Sequence, residues 1–161
     1  QSFFFSPKAP SSFGGLIWGA GPVFLIPTAT DDLLGTEKFG IGPTAVVLKQ
    51  TGHWTIGILA NQIWSVAGDD DRADVSQLFL QPFLSYTTTD AWTFTVNTES
   101  TYNWNAEAWS VPINAQVTKL ITSGTQHVSL GGGLRYWAES PDNSGPEGFG
   151  GRLIVTFLFP K

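Results

Sequence analysis

The chain has 161 residues, no Cys, 13% charged residues and a net charge of −5. That length allows one domain, the acidic balance argues against nucleic acid as a partner, and the lack of Cys excludes a disulfide scaffold and a thiolate metal site. No run of about twenty apolar residues occurs, which excludes a transmembrane helix but not a membrane protein built from strands.

Residues 1–15 open on Phe3-Phe4-Phe5 and pass into a Pro/Ser-rich loop, which reads as the end of a strand followed by a linker. There is no Met, even at position 1, so the sequence reads as processed or as part of a longer one. Removal of an export signal would account for the missing signal peptide. From residue 16 to 161 the chain reads as one β domain. The first strand, 16–28, places Trp18, Ala20, Pro22, Phe24 and Ile26 on one face. A polar loop with Asp31, Asp32 and Glu37 leads to the second strand, 39–50. The two strands share a small repeat, Trp18-Gly-Ala-Gly-Pro22 and Phe39-Gly-Ile-Gly-Pro43, with both Gly on one face and the Pro on the other. Gly inside a strand lets a sheet bend or a neighbour approach closely; the alternative is simple duplication of one hairpin element. Thr51-Gly52 marks a turn. The third strand, 54–66, carries Trp54, Ile56, Ile58, Ala60 and Trp64 on a face that Gln62 interrupts.

The stretch 77–102 has the clearest pattern. Leu78, Leu80, Pro82, Leu84 and Tyr86 alternate with Gln77, Phe79, Gln81, Phe83 and Ser85. After a turn at 88–90, Trp92, Phe94 and Val96 alternate with Thr93, Thr95, Asn97 and Glu99. Period two with a tight link means an antiparallel hairpin. Its polar face would meet water on a soluble sandwich and the lumen in a membrane barrel. Three further strands follow, at 109–120, 127–138 and 149–159, and no helix is expected.

Eight strands of about ten to thirteen residues exceed the minimum of about nine for crossing a bilayer. Their connections alternate long and short, the asymmetry of outer-membrane barrels. Aromatics such as Trp18, Trp54, Trp64, Trp92, Trp109 and Phe149 stand near strand ends, as interfacial girdles would. Most acidic residues fall in the long loops, while Lys49, Lys119 and Lys161 lie at the opposite end. The fold expected is all-β, an antiparallel up-and-down transmembrane barrel with eight strands in this chain.

The stretches WGAGPVFLIPTATDDLLGTEKFGIGPTAVVLKQ, AGDDDRADVSQLFLQPFLSYTT, NTESTYNW, WSVPIN and GGGLRYWAESPDNSGPEGFGGRLIVTFLFPK cover nearly the whole chain. In wording they resemble the proteobacterial outer-membrane proteins labelled transporter-like or "neuromedin U". Members of that family are usually longer at the N-terminus, so the chain looks like their C-terminal eight strands. It differs from the common barrel ending in that Pro160-Lys161 follow its last aromatic. The resemblance implies residence in the bacterial outer membrane, contact with lipid bilayer and lipopolysaccharide, and a porin-like channel or passive transporter of small solutes. The alternatives are a structural or adhesive outer-membrane barrel that transports nothing, and a soluble lipocalin-like carrier.

Strand parity points Glu99, Arg135, Arg152 and Glu139 inward, along with the polar Gln77, Gln81, Asn97, Asn114 and Gln116. In a narrow interior unpaired charges are costly, so Glu99 is expected to pair with Arg135 or Arg152. The cluster reads either as a selective constriction or, favoured if eight strands close alone, as a salt-bridged plug. That closure would pair 16–28 with 149–159. The acidic run Asp69, Asp70, Asp71 with Asp74 is a weak candidate for a divalent cation, since it lacks the Gly and terminal Glu of an EF-hand loop; a solvated turn is the plainer reading. His127-Val128-Ser129 has the look of a His-x-Ser pair of lipid A deacylases, but it points inward at the short-turn end with no orienting acid. No catalysis and no cofactor are expected.

Overall fold

The computed structural model describes residues 1–9, 11, 14–28, 36–124, 126–141 and 145–159. The expectations for Asp31, Asp32 and Lys161 lie outside them. All described strands join one antiparallel sheet: β1 (Ile17–Leu25), β2 (Lys38–Thr51), β3 (Trp54–Gly68), β4 (Ser76–Thr87), β5 (Trp92–Thr98), β6 (Ser100–Asn103), β7 (Ala108–Ser123), β8 (Gln126–Glu139) and β9 (Phe149–Leu158). No helix occurs among the described residues. The spatial order is β1-β2-β3-β4-β5-β7-β8-β9, with β6 between β4 and β7.

The β5 and β6 segments are one crossing. Both keep the same register against β4 and against β7. The ladder is interrupted only at Glu99, which this register sets opposite Pro112, a residue with no N–H to give. The eight expected strands are therefore present, the fifth of them split in two. The link between β2 and β3 is two residues long, and Gly52 takes φ +57, the left-handed conformation that such tight hairpins require.

An additional ribbon lies at the edge. The Phe5 N–H donates to the Ala20 carbonyl at 2.9 Å and the Ala20 N–H to Phe5 at 3.1 Å. The Phe3 N–H reaches Pro22 at 3.0 Å, and the Phe24 N–H reaches Gln1 at 2.7 Å. Residues 1–5 thus run antiparallel along the outer edge of β1, and Phe3 meets Phe24 edge-to-face with centroids 6.0 Å apart. This corrects the expected closure. The groups on β1 that would bond β9 are already engaged by residues 1–5, and β1 and β9 are not neighbours in the sheet. The ribbon and β9 also run in the same direction, so they cannot join each other by antiparallel pairing.

The Gly-x-Gly-Pro repeat has a local cause. Pro22 and Pro43 face each other across β1 and β2. On its other side each faces a carbonyl without offering a donor: Pro22 faces Phe3, and Pro43 faces Gln62, where the β2–β3 pairing lapses between Ile41 and Thr44. In both places the neighbouring carbonyl leans over the Gly just before the Pro, and a side chain at Gly21 or Gly42 would overlap it. Close approach is the use these glycines serve.

Burial along the strands is inverted. One face exposes Trp18, Phe39, Ile41, Ile56, Phe94, Val96, Leu153 and Val155, while the other shelters Thr44 and Asn114, each 2% exposed. Among the described residues Val23 and Pro112 are the only buried apolar side chains larger than Ala. Among the described residues no second layer covers the sheltered face, so the sheet must curl for its own atoms and loops to do so. Partners run Trp54, Tyr86, Phe94, Val117, Gly132 from β3 to β8. Trp54 begins β3, whereas Gly132 is six residues from the start of β8. A climb of six residues at about 3.3 Å each, over about four strand spacings of about 4.8 Å, leans the strands about 45° to the row of short turns.

In this Cys-free chain, Cys introduced at Ser2 and Val23, a non-hydrogen-bonded pair with Cα atoms about 4.5 Å apart, should form a disulfide on mild oxidation. A pair at Ala20 and Val155 should stay reduced on non-reducing gels. The reverse outcome would restore pairing of β1 with β9.

Candidate functional site: an ion-paired cluster on the sheltered face

One row of register partners crosses the sheltered face through Phe83, Asn97, Asn114, Arg135 and Gly150. Its polar members are linked in sequence. Arg135 donates through Nε to Asn114 Oδ1 at 2.7 Å, and Asn114 donates through Nδ2 to Asn97 Oδ1 at 2.8 Å. Arg can only donate, which fixes the Asn114 amide with its oxygen toward Arg135 and its NH₂ toward Asn97. The Trp137 ring packs beside Gly150, where any side chain would crowd it, and lies 5.5 Å below the Arg135 guanidinium. Stacking of this kind orients the planar group.

Glu99, at the interruption between β5 and β6, receives both arginines. Arg135 pairs with Oε2 through Nη2. Arg152 donates from Nη1 to Oε1 at 3.2 Å and from Nη2 to Oε2 at 2.9 Å. The side chains are partly sheltered, 23% exposed for Glu99, 24% for Arg135 and 34% for Arg152. An exposed ion pair contributes about 0–1 kcal/mol, and breaking a buried one costs about 3–5 kcal/mol. This site falls between the two, and the Asn114 link adds to it.

The structure brings Glu99, Arg135, Arg152, Asn97 and Asn114 together. Gln77, Gln81 and Gln116 share the face without side-chain bonds to the cluster among the described residues. Glu139 ends β8 at the long-loop side, exposed and outside the network. The acidic run is divided. Asp69 accepts the Asp71 N–H at 2.9 Å, closing its own turn. Asp74 pairs with Lys38 at 3.2 Å and accepts the Ser65 hydroxyl at 3.1 Å. Those bonds to Lys38 and Ser65 hold the Asp74 carboxyl below its ordinary pKa. Among the described residues no three such groups are placed to hold a metal ion. Arg72 clamps Glu37 with two bonds of 2.9 Å, so the ends of the two long loops are tied together. His127 bonds the Thr122 hydroxyl across its turn at 2.9 Å.

Parity alone did not reveal two partners. Gln62, which interrupts an apolar face, accepts the Trp104 indole N–H at 3.0 Å, a bond over 42 residues. The buried Lys38 finds Asp74 across the loop end. Compared with known proteins, the chain matches no family model, no curated protein and no solved structure.

Glu99→Gln should destabilise the folded chain by about 1–3 kcal/mol in a denaturant titration, between the exposed and buried limits. In a double-mutant cycle with Arg152→Gln the combined loss should be smaller than the sum. Additive losses would mean that the two side chains do not interact.

Proposed function

We propose that this chain is part of the wall of a bacterial outer-membrane β-barrel that lets small solutes pass passively. The observation that carries the reading is the inverted burial of a single-layered sheet: apolar side chains outside, polar ones sheltered. Water offers no reason for such a surface, and lipid does.

Other features support it. Trp54 against Tyr86, Tyr102 against Trp109 and Tyr136 against Phe149 are ring pairs at 4.8–4.9 Å, and they fall at opposite ends of the strands. Ten residues separate Trp54 from Trp64, a rise of about 33 Å along the strand, or about 23 Å at a lean of about 45°. That matches the apolar band of such barrels. Glu37, Asp69, Asp70, Asp71, Asp74, Glu107, Glu139 and Glu147 lie toward the long loops, and Lys49 and Lys119 toward the short turns. The resemblance read from the sequence, to transporter-like outer-membrane proteins, is in line with this proposal. Open strand edges are not tolerated in lipid. Because both edges run the same way, an antiparallel wall is completed by an odd number of further strands. In this reading the long loops face outward with lipopolysaccharide, and the short turns face the periplasm. A structural wall without transport is the second reading, favoured by the way Glu99 braces the β5–β6 crossing to β8 and β9.

Arg in place of Val155 should cost about 2–4 kcal/mol of folding stability if that position sits near the bilayer midplane, while Arg in place of Thr95 should cost far less. Equal costs at the two faces, measured by unfolding from lipid vesicles, would remove the lipid assignment. Protein reconstituted in a planar bilayer should conduct; a folded, inserted protein that never conducts would favour the structural reading.

A further inference from the structure

We propose that the Glu99–Arg135–Arg152 cluster is an anion site, and that the solutes received on this face are small carboxylates and similar oxyanions. The proposal rests on the channel reading for its transport meaning, but the binding site stands on the geometry.

The charges do not balance. Within the strands, the charged side chains of the sheltered face among the described residues are Glu99, Arg135 and Arg152 away from the ends, with Lys38 and Glu139 at the long-loop end. Lys38 is matched by Asp74. Glu139 is four residues beyond Arg135 on β8, about 13 Å along the strand. The cluster therefore holds two guanidiniums on one carboxylate and carries one unbalanced positive charge, in a chain whose net charge is −5.

The hydrogen-bond inventory points the same way. A guanidinium has five N–H donors. Arg135 uses Nε and Nη2, and Arg152 uses its two terminal nitrogens on Glu99. Nη1 of Arg135 and Nε of Arg152 make no bond among the described residues. Both side chains remain a quarter to a third exposed, so a solute can reach them. Asn114 and Trp137 hold Arg135 from one side, and Glu99 holds both arginines from the other, so their donors are oriented before a ligand arrives. Planar, oriented donors with partial shelter from water favour carboxylates and phosphates over chloride.

The chain has three arginines, Arg72, Arg135 and Arg152. In ¹⁵N-arginine-labelled protein in detergent micelles, sodium acetate or inorganic phosphate should shift the Nε signals of Arg135 and Arg152 and leave Arg72 in place, against sodium chloride at equal ionic strength. Glu99→Gln, once shown to be folded, should tighten acetate binding about tenfold by removing the competing carboxylate. Arg152→Gln should weaken it by a similar factor. Equal movement of all three signals, or no movement at Arg135 and Arg152, would overturn the site. A planar-bilayer arm separates this from the channel reading. Shifts without conductance would leave the anion site intact and remove only the channel. Conductance in which Arg152→Gln leaves the anion-to-cation permeability ratio unchanged would overturn the site as a selector.

Discussion

Every N–H and C=O of a strand needs a partner at its side, and in this chain that demand shapes nearly everything. A sheet with one layer cannot rest an apolar face on a second layer, so its cohesion comes from the ladders between strands. Where a Pro removes a donor the ladder has to adjust, and it does so in a repeated way. At Pro22 and Pro43 the facing carbonyl moves inward over a Gly. At Pro112 the β5–β6 crossing opens at Glu99, in the middle of the charged cluster. The backbone irregularity and the candidate site coincide there.

The period-two pattern made the crossings legible, because side chains that alternate so strictly leave little choice of face. Parity also placed Glu99 with Arg135 and Arg152 on one face, and their pairing follows from the cost of leaving charge alone in a sheltered place. What stayed hidden depended on the third dimension. Residues 1–5 read as the end of a strand, but their bonds reach Ala20, Pro22 and Phe24, positions distant along the chain. Glu139 shares the parity of Arg135 but lies past the bulge near Val111, at the exposed rim. Gln62 seemed a flaw in an apolar stripe because Trp104, its partner, stands on a distant loop. Neither the bulge nor the loop contact leaves a periodic trace.

The two faces also differ in how they are held. On the exposed face the contacts are mostly between rings and aliphatic groups, with Lys119 over Trp92 at 4.8 Å, the Trp104–Gln62 bond and the Thr98–Ser100 hydroxyl pair as exceptions. On the sheltered face, hydroxyls and amides pair across strands, as Ser85 does with Thr95 at 2.8 Å. Hydrogen bonds of this kind are directional, so they resist a slip in register, whereas apolar contacts tolerate one more easily. The polar face therefore specifies the alignment that the apolar face merely accommodates.

The two arginines are not equivalent. Arg135 is held at three points: Asn114, Glu99 and the Trp137 ring. Removing it leaves the Asn114 carbonyl oxygen without its donor and takes one of two partners from Glu99, so its loss would disturb the row that joins β5, β7 and β8. Arg152 bonds only Glu99 among the described side chains, and it sits on β9, at the edge of the sheet. Its loss leaves Glu99 still paired with Arg135, and the charges of the cluster then balance. The sheet would keep its brace without Arg152. The second guanidinium is thus the part of the cluster that cohesion of the sheet explains least, and it supplies the unbalanced charge.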